Sequence, residues 1–211
     1  MTHTLTPPRP DSLSFDPVKW WRFPCEVLPW LFVSGDLETQ RPVRATAQLL
    51  QWLDLGITDI VDVRIEYSDE RFVKNSAPEI AYHYCGTDDD GHGQSDQWFD
   101  AVVRAATEAR SNPEAKLIVH CHMGVNRAPS ATLAIMLAEG YDVVEALDLI
   151  RSARPIAAIL YAEDALNWWH RRNGTTPEEA AIDHARAAQW FEQNPVDVAW
   201  IISRIRLAEC A

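Results

Sequence analysis

The chain has 211 residues, 47% hydrophobic and 24% charged, which suits one globular domain with room for a terminal extension and excludes a disordered or collagen-like protein. It carries 19 Lys and Arg against 31 Asp and Glu, a formal net charge of −12. Such a field repels nucleic acid and anionic membranes, so neither is expected as a partner. Any anion-binding site must therefore be a local exception to the overall charge.

Residues 1–14 are rich in Pro, Ser and Thr and are predicted to form a flexible lead-in. From residue 15 onwards, short apolar runs alternate with helix-like segments. This alternation predicts an α/β fold with a mainly parallel central sheet flanked by helices. The predicted strands are residues 30–33, 58–63, 81–84 and 116–119, and the helices between them are residues 43–55 and 96–110.

Beyond residue 119 the pattern predicts helices alone. Those at residues 129–139, 143–154 and 162–172 complete a predicted domain of residues 15–172. A new helix then begins near Pro177, with Thr176 as its N-cap. Residues 173–211 are predicted to form a C-terminal extension that packs on the domain, with helices at about residues 177–193 and 196–208.

The N-terminal composition and the cysteine spacing favour an intracellular protein with reduced thiols. The N-terminal residues contain no apolar run typical of a signal peptide, and the purest apolar stretch, residues 131–138, is too short to cross a bilayer. The four cysteines lie far apart, without the C-x-x-C spacing of a zinc site or a dense disulfide framework. We therefore expect a cytoplasmic protein with no metal site and with reduced thiols.

Residues 117–130 have the pattern of an anion site. A β-branched apolar run leads into His120 and Cys121, and after five residues come Arg127 and a helix. Backbone N–H groups of the intervening loop can turn inward around a tetrahedral oxyanion, and the helix dipole adds positive potential. The segment therefore predicts a phosphate-binding loop, made of His122, Met123, Gly124, Val125, Asn126 and Arg127.

The ends of this loop carry groups suited to attack on phosphorus. A thiol at a helix N-terminus beside a guanidinium loses its proton readily, so Cys121 is expected to be a thiolate nucleophile. Arg127 offers a planar fork of donors that holds two phosphate oxygens, which Lys does not. Gly124 permits a backbone angle barred to other residues. His120 is expected to orient the loop through hydrogen bonds, from behind the site.

The run from His120 to Arg127 resembles the signature loop of the cysteine-dependent protein tyrosine phosphatase superfamily, especially its compact dual-specificity branch. The resemblance covers residues 25–172 and includes an Arg-Pro turn at Arg154. It implies a protein tyrosine phosphatase-like fold and phosphomonoester hydrolysis without metal or organic cofactor. The implied partner is a phosphorylated protein, with phosphotyrosine and optionally phosphoserine or phosphothreonine, or a small phosphomonoester.

The family carries its general acid, an aspartate, on a separate loop upstream of the nucleophile. This aspartate distinguishes the family from rhodanese-like and arsenate-reductase-like proteins, which also have a Cys-to-Arg loop. At that place the sequence has three consecutive aspartates. Asp89 gives the best alignment, and Asp88 and Asp90 remain alternatives. A positioned acid protonates the leaving oxygen and accelerates such reactions by about 10²- to 10⁴-fold.

The sequence departs from the family directly after Arg127, where Ala128 replaces a Ser or Thr whose hydroxyl stabilises the departing thiolate. Ser130 lies further round the helix and is expected to point away from the cysteine. The departure leaves open a phosphate-binding module with negligible turnover. A phosphoinositide or nucleotide phosphatase on the same scaffold also remains open, although the loop has no Lys, and no Arg besides Arg127, to favour multiply phosphorylated inositol lipids. The sequence does not indicate an oligomeric state.

Overall fold

A computed structural model of the chain describes residues 15–210. Its centre is a single five-stranded sheet. The strands are β1 (Cys25–Leu28), β2 (Leu31–Ser34), β3 (Asp59–Arg64), β4 (Ala81–Thr87) and β5 (Leu117–His120). Their order is β1-β2-β5-β3-β4, with β1 antiparallel to β2 and the other neighbours parallel. The predicted α/β fold with a mainly parallel sheet is confirmed.

Helices cover both faces of the sheet. They are α1 (Pro17–Trp21), α2 (Pro42–Asp54), α3 (Glu70–Ser76), α4 (Asp96–Arg110), α5 (Arg127–Ala138), α6 (Val143–Ala153), α7 (Ala162–Asn173), α8 (Pro177–Gln193) and α9 (Val198–Glu209). Successive strand residues point to opposite faces. Ile118 therefore packs with Trp52 of α2, whereas Val119 packs with Ala131 of α5. Both faces being buried explains why the central strands are continuous apolar runs.

Most predicted elements are confirmed within a few residues at their ends. The predicted caps are also present: Asp142 accepts hydrogen bonds from the N–H groups of Val144 and Glu145, and Thr176 forms a capping box with Glu179. The prediction missed helices α1 and α3, because elements of five and seven residues are too short to show periodicity. The lead-in predicted for residues 1–14 lies outside the described residues.

The C-terminal helices pack against two different parts of the fold. Helix α8 contacts α6 and α7, whereas α9 contacts α1. Ile201 and Ile205 of α9 are buried in a cluster with Trp21 and with Val125 of the loop. Helix α9 therefore reaches the neighbourhood of the loop between Cys121 and Arg127. Among the described residues, every helix is too short or too polar to span a membrane.

Candidate active site

Cys121 follows central strand β5 directly and is only 2% exposed. Its Sγ accepts a hydrogen bond from the backbone N–H of Gly124 at 3.2 Å, so the loop turns at least one N–H toward the sulfur. Gly124 has φ of 63°, and a Cβ there would lie 2.6 Å from the carbonyl oxygen of Ser34. The tight return of the loop past β2 therefore requires glycine.

Arg127 begins α5, and oxygens of two residues accept hydrogen bonds from three of its five donor hydrogens. Nη1 and Nη2 donate to the two carboxylate oxygens of Glu66 at 2.7 and 2.6 Å, and Nη1 also donates to the carbonyl oxygen of Thr87 at 3.0 Å. Nε is buried and makes no hydrogen bond within residues 15–210. The Nε–Nη2 edge of the guanidinium therefore has two donor hydrogens without a hydrogen bond, although Asp89 Oδ2 lies 3.3 Å from Nε.

The surroundings keep Arg127 charged. Burial opposes its charged form, but the hydrogen bonds to Glu66 and the charges of Cys121, Glu66 and Asp89 outweigh that cost and raise its pKa. The same pairing lowers the pKa of Glu66 against the opposing effect of its partial burial. Glu66 therefore holds the guanidinium by its Nη1–Nη2 edge, while Nε on the other edge lies near Asp89.

Of the three consecutive aspartates, Asp89 lies over the loop. Its Oδ1 accepts hydrogen bonds from Asn126 Nδ2 at 2.7 Å and from the Tyr161 hydroxyl at 2.9 Å, and its Oδ2 lies 3.3 Å from Arg127 Nε. The carboxylate of Asp90 instead turns to His92 at an exposed turn. Asp89 is thus the aspartate that the structure brings together with Arg127.

The backbone carbonyls of the loop are bound from outside by buried groups. Arg154, fully buried, donates from Nε to Gly124 O at 2.5 Å and from Nη2 to Met123 O at 3.1 Å. The N–H of Ala158 donates to Val125 O at 2.6 Å. With these carbonyls held outward, the N–H groups of the loop are left for the interior of the site. The Arg-Pro turn therefore supports the loop from its outer side.

His122 connects the loop to two distant carboxylates. Its Nδ1 lies 2.9 Å from the buried Asp36, and its Nε2 lies 3.2 Å from Glu209 of α9. The hydrogen bond to Asp36 raises the pKa of His122 despite its partial burial, and the charges of Asp36 and Glu209 act in the same direction. The imidazolium form of His122, the residue that follows Cys121, therefore ties α9 to the loop.

His120 differs from its prediction. It is fully buried, and neither ring nitrogen makes a hydrogen bond within residues 15–210, so the expected orientation of the loop through hydrogen bonds has no counterpart there. Burial lowers its pKa, although Asp62 opposes this at 3.9 Å. Asp62, Asp69 and His120 are close enough to hold a cation, but Arg64 already bonds both aspartates, at 2.8 and 2.7 Å. A guanidinium thus supplies the charge that a metal ion would bring.

Cys121, Arg127 and Asp89 line a cavity of about 450 Å³, which we call the active-site cavity. Its floor holds Cys121 and Arg127, and its walls include residues that the sequence did not single out. Those residues are Glu66, Tyr161, Val198, Ile202 and Arg206. Glu66 follows β3 as Asp89 follows β4, and the carboxyl ends of parallel strands meet at one edge of a sheet, so Glu66 had a detectable signal. The α9 residues had none.

No family model matches the chain. Among curated proteins, dual specificity protein phosphatase 13B of Homo sapiens is 31% identical over 136 residues, and its counterpart in Mus musculus is 30% identical over 136 residues. Each match covers 62% of this chain and 64% of the relative. The chain therefore spans somewhat less than two thirds of the curated relatives that it matches.

Solved structures share the fold. A mouse putative dual specificity phosphatase complexed with zinc tungstate has a TM-score of 0.57 at 22% identity, and covers 74% of this chain and 93% of its own. Human DUSP28 has a TM-score of 0.56 at 20% identity, and the match covers 71% of this chain and 95% of DUSP28. PTPMT1 in complex with PI(5)P has a TM-score of 0.55 at 13% identity, and the match covers 70% of this chain and 95% of the PTPMT1 chain. At such identities the likeness establishes the fold.

Proposed function

We propose that this chain belongs to the dual-specificity branch of the cysteine-dependent protein tyrosine phosphatase superfamily and hydrolyses phosphate monoesters through a cysteinyl phosphate. The sequence relatives and the shared fold support this proposal. Cys121 Sγ attacks phosphorus while Asp89 protonates the leaving oxygen. Asp89 then takes a proton from the water that cleaves the sulfur–phosphorus bond. Arg127 and the loop N–H groups hold the phosphoryl oxygens in both steps.

The Nε–Nη2 edge of Arg127 carries this proposal. Its Nε is a buried donor that makes an ion-pair contact with Asp89 Oδ2 at 3.3 Å but no hydrogen bond among residues 15–210, and a buried donor without a hydrogen bond is costly unless a ligand completes it. Glu66 and Thr87 fix the opposite edge, so the donors are already oriented. A phosphate that accepts from Nε and Nη2 places its phosphorus beside Cys121, on the floor of the same cavity.

Asp89 fits the role of general acid by position. Of the three neighbouring aspartates, it is the one that lines the active-site cavity in the part of the chain that the structure describes. Hydrogen bonds from Asn126 and Tyr161 hold its carboxyl group in a fixed orientation. A fixed carboxyl above the nucleophile can reach the leaving oxygen of a bound monoester, and it can later activate a water at the same place.

The walls of the cavity favour an aryl phosphate. Apolar side chains of Met123, Leu160 and Ile202 line it together with Tyr161, and its volume of about 450 Å³ accommodates a substituted ring. The sequence relatives are named as dual specificity protein phosphatases. We therefore propose protein phosphotyrosine, with or without phosphoserine and phosphothreonine, as the substrate class. A cytoplasmic location and the absence of nucleic-acid and membrane partners stay predictions.

A phosphate-binding module with negligible turnover is the second candidate, and Ala128 favours it. Ala128 is fully buried and has no hydroxyl, and within residues 15–210 the sulfur of Cys121 accepts a hydrogen bond from Gly124 alone. The departing thiolate therefore has little support when the cysteinyl phosphate breaks down. Such a module would bind phosphate and become phosphorylated once, but it would not cycle.

Release of 4-nitrophenol from 4-nitrophenyl phosphate tests the function, with the parent compared with Cys121→Ser and with Cys210→Ser as the matched control. Cys210 is exposed and does not line the cavity. We expect vanadate-sensitive turnover in the parent and in Cys210→Ser, and none in Cys121→Ser, which should still bind vanadate. Equal activity in all three proteins would contradict the mechanism, and a single turnover without cycling would favour the binding module. Phosphoinositides and nucleotides assayed beside phosphopeptides identify the substrate class.

A further inference from the structure

Helix α9 presents a mixed face to the active-site cavity. Val198, Ile202 and Arg206 are spaced by four residues, which places them on one side of the helix, and all three line the cavity. The adjacent side carries Ile201 and Ile205, which are buried against the domain at 2% and 0% exposure. The helix thus offers the cavity two aliphatic side chains followed by one cation.

The position of α9 is fixed by polar contacts as well as by apolar packing. Glu209 lies 3.2 Å from Nε2 of His122, which directly follows the nucleophile, and Arg204 lies 4.0 Å from Asp16. Arg206 precedes Glu209 by three residues, or about 4.5 Å along the helix axis. Arg206 therefore projects from the end of α9 that is nearest to the phosphate loop.

The guanidinium of Arg206 is uncommitted. Its side chain is exposed, and no carboxylate of residues 15–210 lies within 4.0 Å of it. The acid one turn away, Glu209, is paired with His122. Arg127, the other arginine that lines the cavity, is bound by Glu66. In a chain with a net charge of −12, a cation that stays free at the cavity wall is an exception that suits an anionic ligand.

We propose that Arg206 is a specificity-determining residue that binds a second anionic group of the substrate, beside the phosphate that is cleaved. The proposal rests on the phosphatase function proposed above and narrows its substrate class. Val198 and Ile202 cover the apolar part of the substrate, while Arg206 pairs with a carboxylate or a second phosphate near it. For a phosphotyrosine protein, this group is an acidic or phosphorylated side chain that flanks the phosphotyrosine.

The test compares kcat/KM for four phosphotyrosine peptides that differ at the flanking positions, which carry Asp, phosphoserine, Asn or Lys. We expect the parent to prefer the Asp and phosphoserine peptides over the Asn peptide by about 5- to 10-fold, as one exposed charge-assisted contact provides. Arg206→Gln should remove this preference, and Arg206→Glu should shift it toward the Lys peptide. Comparison of the Asp and phosphoserine arms distinguishes a carboxylate from a second phosphate.

Two controls separate the proposal from a structural effect and from failure of the phosphatase function. Arg204→Gln changes a cation of the same helix that faces Asp16, and it should keep the parent's preference. Turnover of 4-nitrophenyl phosphate, which has no second anion, should fall much less in Arg206→Gln than turnover of the Asp and phosphoserine peptides. If the parent proves inactive, peptide affinities measured by anisotropy on the Cys121→Ser background must show the same preference. Equal losses for every substrate in Arg206→Gln, or no acidic preference in the parent, would overturn the proposal.

Discussion

Between Cys121 and Arg127 the phosphate loop is one continuous stretch of chain, whereas the wall around it is assembled from distant segments. Buried groups such as Arg154 bind the outside of the loop, and its conformation follows from a strand, a glycine and a helix start. The wall combines Glu66 after β3 with Tyr161 before α7 and with helix α9. Chemistry is therefore encoded locally, while recognition depends on the tertiary fold.

The two regions also differ in how their charges are held. Beneath the loop, Asp36, Arg64 and Asp62 are fully buried and paired with one another. In the wall, the His122–Glu209 pair leaves 24% and 39% of the two side chains exposed. Exposed pairs contribute about 0–1 kcal/mol, whereas breaking a buried pair costs about 3–5 kcal/mol. Breaking one of the buried pairs beneath the loop should therefore cost more free energy of folding than breaking the His122–Glu209 pair in the wall.

Asp89→Asn should have the largest effect, because it removes the proton donor above the loop. We expect kcat/KM to fall by about 10²- to 10⁴-fold for phenyl and alkyl phosphates, with a much smaller loss for a substrate with an acidic leaving group such as 4-nitrophenyl phosphate. Asp90→Asn, which alters the neighbouring exposed aspartate, is the control and should change neither rate. Equal losses across leaving groups in Asp89→Asn would place the general acid elsewhere.

Arg127→Lys tests whether the Nε–Nη2 guanidinium edge is the phosphate site. A lysine supplies a point charge but not two parallel donors, so kcat/KM for 4-nitrophenyl phosphate should fall by about 10²-fold while the fold remains intact by circular dichroism. Inhibition by vanadate should weaken in the same variant. A lysine variant with the parent's kinetics would show that the phosphate binds away from Arg127.

Ala128→Ser tests whether the missing hydroxyl at position 128 limits turnover. A serine hydroxyl at the start of α5 adds one hydrogen bond to the departing thiolate and should accelerate breakdown of the cysteinyl phosphate by about 10- to 100-fold. In the parent, a burst of 4-nitrophenol equal to the enzyme concentration should precede a slow steady state. The substitution should raise kcat and leave kcat/KM unchanged, since kcat/KM reports steps up to phosphorylation. No burst in the parent and no gain in kcat would mean that Ala128 does not limit turnover.

Glu209→Gln should have the smallest effect, a small change in the free energy of unfolding, because it removes the exposed pair between α9 and His122 in the cavity wall. Because the pKa of His122 is raised above 6.5, its pairing with Glu209 contributes stability that is complete below the unfolded pKa and is lost as pH rises through the folded pKa. We expect the parent to exceed Glu209→Gln by about 0.5 kcal/mol in the free energy of unfolding near pH 6, and to match it at alkaline pH. Asp36, Arg22 and Tyr67 also surround His122 but are common to both proteins. A pH-independent difference would contradict the pairing.

The sequence predicts what depends on neighbouring residues. Helix α4 has the predicted bounds, Asp96–Arg110, and α8 has the predicted bounds, Pro177–Gln193, because caps and periodicity lie within each segment. The β5–loop–α5 unit is predicted for the same reason. Helix α3, with seven residues, carries too little pattern. The place of Glu66 directly after β3 was a detectable signal, but the contact of α9 with the loop joins residues far apart in the chain, and no local pattern encodes it.

Rapid acid quench followed by intact-protein mass spectrometry tests the central claim most directly. The parent and Cys121→Ser are mixed with 4-nitrophenyl phosphate, stopped within the first turnover, and digested to locate any added phosphoryl group. The account predicts one phosphoryl group on Cys121 of the parent, formed at the rate of the 4-nitrophenol burst, and none on Cys121→Ser. Steady release of 4-nitrophenol from the parent without phosphorylation of Cys121, or continued release by Cys121→Ser, would contradict it.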